Sequence, residues 1–115
     1  MKLLIAGSRS ITNIDLSQYI PKETTLIISG GAIGVDTLAE RYADEHRISK
    51  YIKLPRYDLY GRSAPLKRNE EIANACDKAL VIWDGKSRGS KYTIDYLKKI
   101  GKEVVVVIVG NEGKA

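Results

Sequence analysis

Apolar residues along this chain fall into short runs separated by stretches of helical spacing. Lys2–Ala6, Thr25–Ile28, Tyr51–Leu54, Ala79–Trp83 and Val104–Val109 read as strands. The first, fourth and fifth are nearly all apolar, the pattern of strands buried on both faces of a helix-covered parallel sheet. Between them, Val35–Arg47 sets Leu38, Ala39 and Tyr42 on one helical face. Ala64–Ala75 does the same with Leu66, Ile72 and Ala73, with Cys76 just beyond. Ser90–Ile100 carries Ile94, Leu97 and Ile100 and stops at Gly101, a C-terminal cap. The segment Asn13–Ile20 predicts a shorter helix ended by Pro21. This alternation predicts an α/β fold: a doubly wound, mostly parallel, five-stranded Rossmann-like sheet with helices on both faces. The expected strand order is 3-2-1-4-5.

Length limits the organisation. With 115 residues the chain forms one domain, read as 1–110, with a frayed C-terminal tail at 111–115. No apolar run approaches the roughly 20 residues of a membrane span, so no membrane partner is expected. The apolar stretch Leu3–Ala6 is too short for a secretory core. The single cysteine, Cys76, has no internal partner for a disulfide and suits a reducing, cytoplasmic setting.

Charge becomes informative once it is placed on the fold. The net charge is +5 and the isoelectric point near 9.3, which suits an anionic partner or a solvated lysine surface equally well. In doubly wound sheets ligands bind beyond the carboxyl ends of the strands. Arg9, Arg56, Arg62, Lys67, Arg68, Lys86 and Arg88 all fall in or beside the loops expected at that edge.

Three of those loops carry candidate chemistry. SGGAIGVD, Ser29 to Asp36, joins an apolar strand to a helix. Its glycines permit a sharp turn and close approach of backbone amides to a ligand, and the helix start favours phosphate. Asp36 is placed to cap amides or to bind a ribose hydroxyl. A plain connecting turn remains the alternative, since the spacing is not GxGxxG. GSRS, Gly7 to Ser10, offers Arg9 for bidentate pairing with a phosphate or carboxylate. DGKSRGS, Asp84 to Ser90, repeats the design, with Ser87, Gly89, Ser90 and Thr93 as donors or Ser87 as a helix cap. The connection Pro55–Pro65 is the main irregular stretch, and its Tyr57 and Tyr60 stack on a base or pack the loop. His46 has no ligand partner in sequence, and no zinc spacing, nucleophile elbow or Walker lysine is present.

Taken in order, these segments resemble the superfamily that contains DNA-processing protein A (DprA/Smf) and the cytokinin-activating LOG proteins. The likeness is to its small stand-alone, YspA-like branch of the SLOG superfamily. The GSR start, SGGAIGVD, YGRSA, the Arg68-Asn69 pair and the Asp84–Ser90 loop follow one another from Gly7 to Ser90. The resemblance implies a nucleotide site built from Gly7, Ser8, Arg9, Ser29, Gly30, Gly31, Ala32, Gly34, Asp36, Arg68, Asn69, Asp84, Ser87, Gly89 and Ser90. It implies binding or sensing of a nucleotide or nucleotide-derived ligand; no metal site is expected, and no other cofactor is indicated. Arg68 matches a catalytic arginine of the LOG hydrolases, but Tyr92 stands where their glutamate should be, and neither Asp84 nor Asp95 is at the matching position. A LOG-like hydrolase of the N-glycosidic or phosphate bond is the first alternative. DprA-like binding of single-stranded nucleic acid is the second, and a homodimer is a further expectation from related folds.

Overall fold

The computed structural model describes residues 1–110, so the tail expected at 111–115 lies outside the described residues. Five parallel strands make one sheet: β1 (Lys2–Gly7), β2 (Leu26–Ser29), β3 (Ser49–Ile52), β4 (Lys78–Trp83) and β5 (Glu103–Ile108), in the order β3-β2-β1-β4-β5. Helices α1 (Val35–Glu45), α2 (Tyr57–Tyr60), α3 (Ala64–Ala75) and α4 (Arg88–Lys99) connect them, with a 3-10 turn at Gly61–Ser63. The order reverses between β1 and β4, which is where such sheets open a crevice.

Side-chain alternation in the central strands sorts the core into two layers. Leu3 and Ile5 of β1, Ile27 of β2, and Leu80 and Ile82 of β4 face one side, where Val35, Ala39 and Ala43 of α1 cover them. Leu4, Ile28, Ala79 and Val81 face the other, against Ile72 and Ala73 of α3 and Ile94 and Leu97 of α4. Cys76 is buried in this second layer at the end of α3. No helix among the described residues is long and apolar enough to cross a membrane.

Four local expectations are corrected. Asn13–Ile20 is not a helix. The Asp15 carboxylate accepts from the Ser17 amide at 3.0 Å and the Ser17 hydroxyl at 2.6 Å, a local turn that competes with helical bonding. Ile11 and Leu16, five positions apart, instead anchor the segment on the sheet beside α1. Pro55–Pro65 is not wholly irregular, since α2 and the 3-10 turn lie within it. β5 is not buried on both faces: it is an edge strand, with Val105 38% and Ile108 64% exposed. Its apolar run comes from β propensity and partial cover, not from two packed faces. At the opposite edge, β3 starts and ends two residues earlier than expected, because its register follows β2 (Leu26 opposite Ser49, Ser29 opposite Ile52).

The contrast between centre and edge is measurable. Leu80→Ala, at a fully buried central position, is expected to cost about 2–5 kcal/mol. Val105→Ala on β5 is expected to cost about 1 kcal/mol or less. Denaturant unfolding of the two variants checks the difference, and equal losses would contradict the assignment of β5 as an exposed edge.

Candidate functional site

A cavity of about 670 Å³ opens at the carboxyl edge of the sheet. Three helices begin at its walls: Asp36 in the first turn of α1, Pro65 and Leu66 in that of α3, and Gly89 and Ser90 in that of α4 all line it. The first amides of a helix have no intrahelical acceptor. Those of Asp36 and Thr37 in α1, and of Arg88 and Gly89 in α4, have no intramolecular partner among the described residues. They leave donors at the positive ends of two helix dipoles.

Arg68 is the central charge. It is only 8% exposed, as the fifth residue of α3. Its Nε donates to Asn69 Oδ1 at 2.8 Å, and its Nη1 donates to the Gly30 carbonyl. Burial pushes the guanidinium down from its ordinary value, and the nearby Asp36 charge opposes that shift. Asp36 is buried too. Desolvation raises its carboxyl above the usual range, against the bond it accepts from the Ala32 amide at 3.1 Å and the attraction of Arg68. A Cβ at Gly30 would sit 2.7 Å from Arg68 Nη1, so the glycine is what lets the guanidinium reach the loop.

Of the residues expected from the sequence, Gly7, Arg9, Gly30, Gly31, Ala32, Asp36, Arg68, Asn69, Asp84, Ser87, Gly89 and Ser90 line this one cavity. Ser8, Ser29 and Gly34 stand behind the wall and shape it. The Ser8 hydroxyl accepts from the Asp84 amide at 3.0 Å, and Ser29 Oγ accepts from the Gly31 amide at 3.2 Å. Gly34 has φ +79°, and a Cβ there would come within 2.6 Å of the Arg9 backbone and the Ser8 carbonyl.

Asp84 organises its loop. Its Oδ1 accepts from the amides of Lys86 and Ser87, both at 2.8 Å, and its Oδ2 from the Ser10 hydroxyl at 3.0 Å. These bonds, the Ser87 amide foremost, pull its pKa down to about 2. Ser87 caps α4, accepting from the Ser90 amide at 3.4 Å. Ser90 and Thr93 line the cavity, and the Ser90 hydroxyl accepts from that of Ser87 at 3.3 Å.

The gathering of cations is narrower than the sequence suggests. Only Arg9 and Arg68 of the seven line the cavity. Arg56 pairs with Asp58 at 2.7 Å, Lys67 lies over the Tyr60 ring at 6.0 Å, and Lys86 and Arg88 face a separate hollow. Tyr57 does reach the cavity, where Ala6, Ile33, Pro55, Pro65, Leu66 and Ile72 add an apolar wall. Of that wall, Ala6, Pro65, Leu66 and Ile72 carry no signal in sequence beyond ordinary core or turn character. His46 stacks on Tyr42 with ring centroids 3.9 Å apart. Among the described residues no group of three or more His, Cys, Asp or Glu is placed to hold a metal ion.

Fold and site together define a parallel α/β domain with an amide- and guanidinium-lined cavity at its topological switch point. No family model matches the chain, and no curated protein or solved structure matches it either.

Two substitutions test the architecture. Gly34→Ala is expected to destabilise by on the order of 2 kcal/mol, from the left-handed backbone and the contacts its Cβ would meet; thermal or denaturant unfolding measures this. Asp84 has a folded pKa of about 2 against an ordinary 3.8, so its contribution is present above 3.8 and lost as pH falls toward 2. Wild type is therefore expected to unfold at a higher temperature than Asp84→Asn at pH 5, with the gap closing by pH 2. A gap independent of pH would contradict the role given to the carboxylate.

Proposed function

We propose that this domain binds or senses a nucleotide or nucleotide-derived ligand in the cavity at the sheet's carboxyl edge. One observation carries the reading: the loops after β1 and β4 line the cavity with polar groups, while the connection after β3 brings an apolar cluster to it beside Arg68 and Asn69. Arg9, Ser10, Ser87, Gly89 and Ser90 follow the central strands β1 and β4. Pro55, Tyr57, Pro65 and Leu66 follow the edge strand β3. Anionic oxygens suit the first group, which offers a guanidinium and the start of α4. A flat ring suits the second, where Tyr57 is 60% and Leu66 39% exposed. A phosphate joined to a base satisfies both.

No specific observation favours the hydrolase alternative. Tyr92 donates to the Glu70 carboxylate and lies outside the cavity. The two cavity carboxylates, Asp36 and Asp84, are both engaged by loop amides. Nor does the cavity favour a strand of nucleic acid, because Tyr57 is the one aromatic ring in its wall and a strand needs successive stacking platforms.

The test is mass spectrometry of small molecules co-purifying with the protein, followed by thermal-shift titration with the nucleotide recovered. A ligand bound only by the native state raises the melting temperature without being consumed. Arg9→Ala, at an exposed residue, is expected to weaken that nucleotide by roughly 10- to 100-fold, the loss of one charge-assisted contact. Release of free base or phosphate would replace the binding reading with an enzymatic one. No thermal shift from any member of a nucleotide panel would remove both.

A further inference from the structure

A second hollow, of about 480 Å³, lies on the outer side of the β4–α4 loop. Its lining is Trp83, Gly85, Lys86, Arg88, Lys91, Tyr92 and Asp95, none of which borders the main cavity. The two hollows share a loop. Asp84, Ser87, Gly89 and Ser90 face one, and Gly85, Lys86 and Arg88 face the other.

The chemistry of this hollow is specific. Lys91 and Asp95 pair at 2.8 Å and neutralise each other. Lys86 and Arg88 are exposed and have no carboxylate partner among the described residues, so two positive charges stand uncompensated at its rim. The Trp83 indole N–H already donates to the Ser87 carbonyl at 3.0 Å. The Tyr92 hydroxyl is likewise engaged by Glu70. Trp83 also packs against the second core layer and Tyr92 stacks on Tyr96 with ring centroids 6.5 Å apart, so what each offers a ligand is its remaining ring surface rather than a hydrogen bond. Ring faces beside free cations select an anion that carries an aromatic group.

We infer that this hollow is a second ligand site, taking an aromatic phosphate of nucleoside monophosphate size whose ring lies on Trp83 and whose phosphate meets Lys86 and Arg88. It does not rest on the reading of the main cavity. The same chemistry is offered by a free mononucleotide and by one unit of a single strand.

Trp83 is the single tryptophan of the chain, so its fluorescence reports on this hollow directly. Titration of the whole protein with adenosine 5′-monophosphate is expected to change Trp83 emission saturably. The double variant Lys86→Ala/Arg88→Ala, at two exposed positions, is expected to raise the apparent Kd about tenfold or more, with an unchanged melting temperature. Arg9→Ala, which alters only the main cavity, should leave the fluorescence titration as in wild type. Repeating it with a tetranucleotide assigns the source: tighter binding than the monomer points to a strand, and equal or weaker binding to a free nucleotide. No saturable change, an unaffected double variant, or loss of the signal in Arg9→Ala would each overturn the inference.

Discussion

The site depends on burying one guanidinium. Withdrawing a charge from water is costly unless it is paired and hydrogen-bonded, and Arg68 meets that condition only through contacts drawn from several parts of the chain. Its Nη1 reaches the Gly30 carbonyl, 38 positions away in sequence, while Asn69 accepts from its Nε and Asp36 supplies the opposing charge. These contacts fasten the start of α3 to the β2–α1 loop across the mouth of the crevice. The absence of a side chain at Gly30 is part of the same arrangement, because a Cβ would occupy the space the guanidinium needs. Arg68 thus holds the cavity open and lends it positive potential at once.

The neighbouring carboxylates differ because their surroundings differ. Asp36 is buried in the same network, where desolvation outweighs its bond from Ala32 and the attraction of Arg68. Asp84, with more access to water, accepts two amides and a hydroxyl and is stabilised in its charged form. One carboxyl therefore balances a buried cation, while the other winds a loop into the start of α4. Both shape the cavity by fixing backbone, and the groups without an intramolecular partner at its wall are helix-start amides and the Arg9 guanidinium.

What could be read from sequence follows the range of the forces involved. Strand order and the three glycine- and serine-rich loops are legible because hydrophobic period and turn chemistry are local, and SGGAIGVD carries both within eight residues. The helix expected at Asn13–Ile20 fails because the bonds that the Asp15 carboxylate accepts from Ser17 are as local as the helical ones they displace. The exposure of β5 is not legible, since an apolar run looks the same at the edge of a sheet as at its centre. The cations mislead for a related reason. Arg56, Lys67, Lys86 and Arg88 reach the expected edge in backbone, but each long side chain then follows a neighbour or solvent that sequence spacing does not specify. The apolar wall of Pro65, Leu66 and Ile72 was hidden in what reads as ordinary turn and helix core.

The division of the cavity into a polar centre and an apolar flank follows from the sheet order. Loops leaving β1 and β4 start from neighbouring strands at the switch point, so Arg9, Ser10 and the start of α4 are brought together. The loop leaving β3 starts two strands away, at the edge, where α2 holds Tyr57 and where none of its own residues is buried. A ligand joining the two regions needs an anionic end and a flat apolar end separated by a short link. The Tyr92 position argues in the same direction: its hydroxyl is tied to Glu70 away from this cavity, so the fold uses that turn of α4 to pack against α3 instead of presenting a carboxylate to the ligand. The acidic groups of the cavity are committed in the same way, since Asp36 and Asp84 each accept from loop amides and thereby hold the backbone that forms its wall.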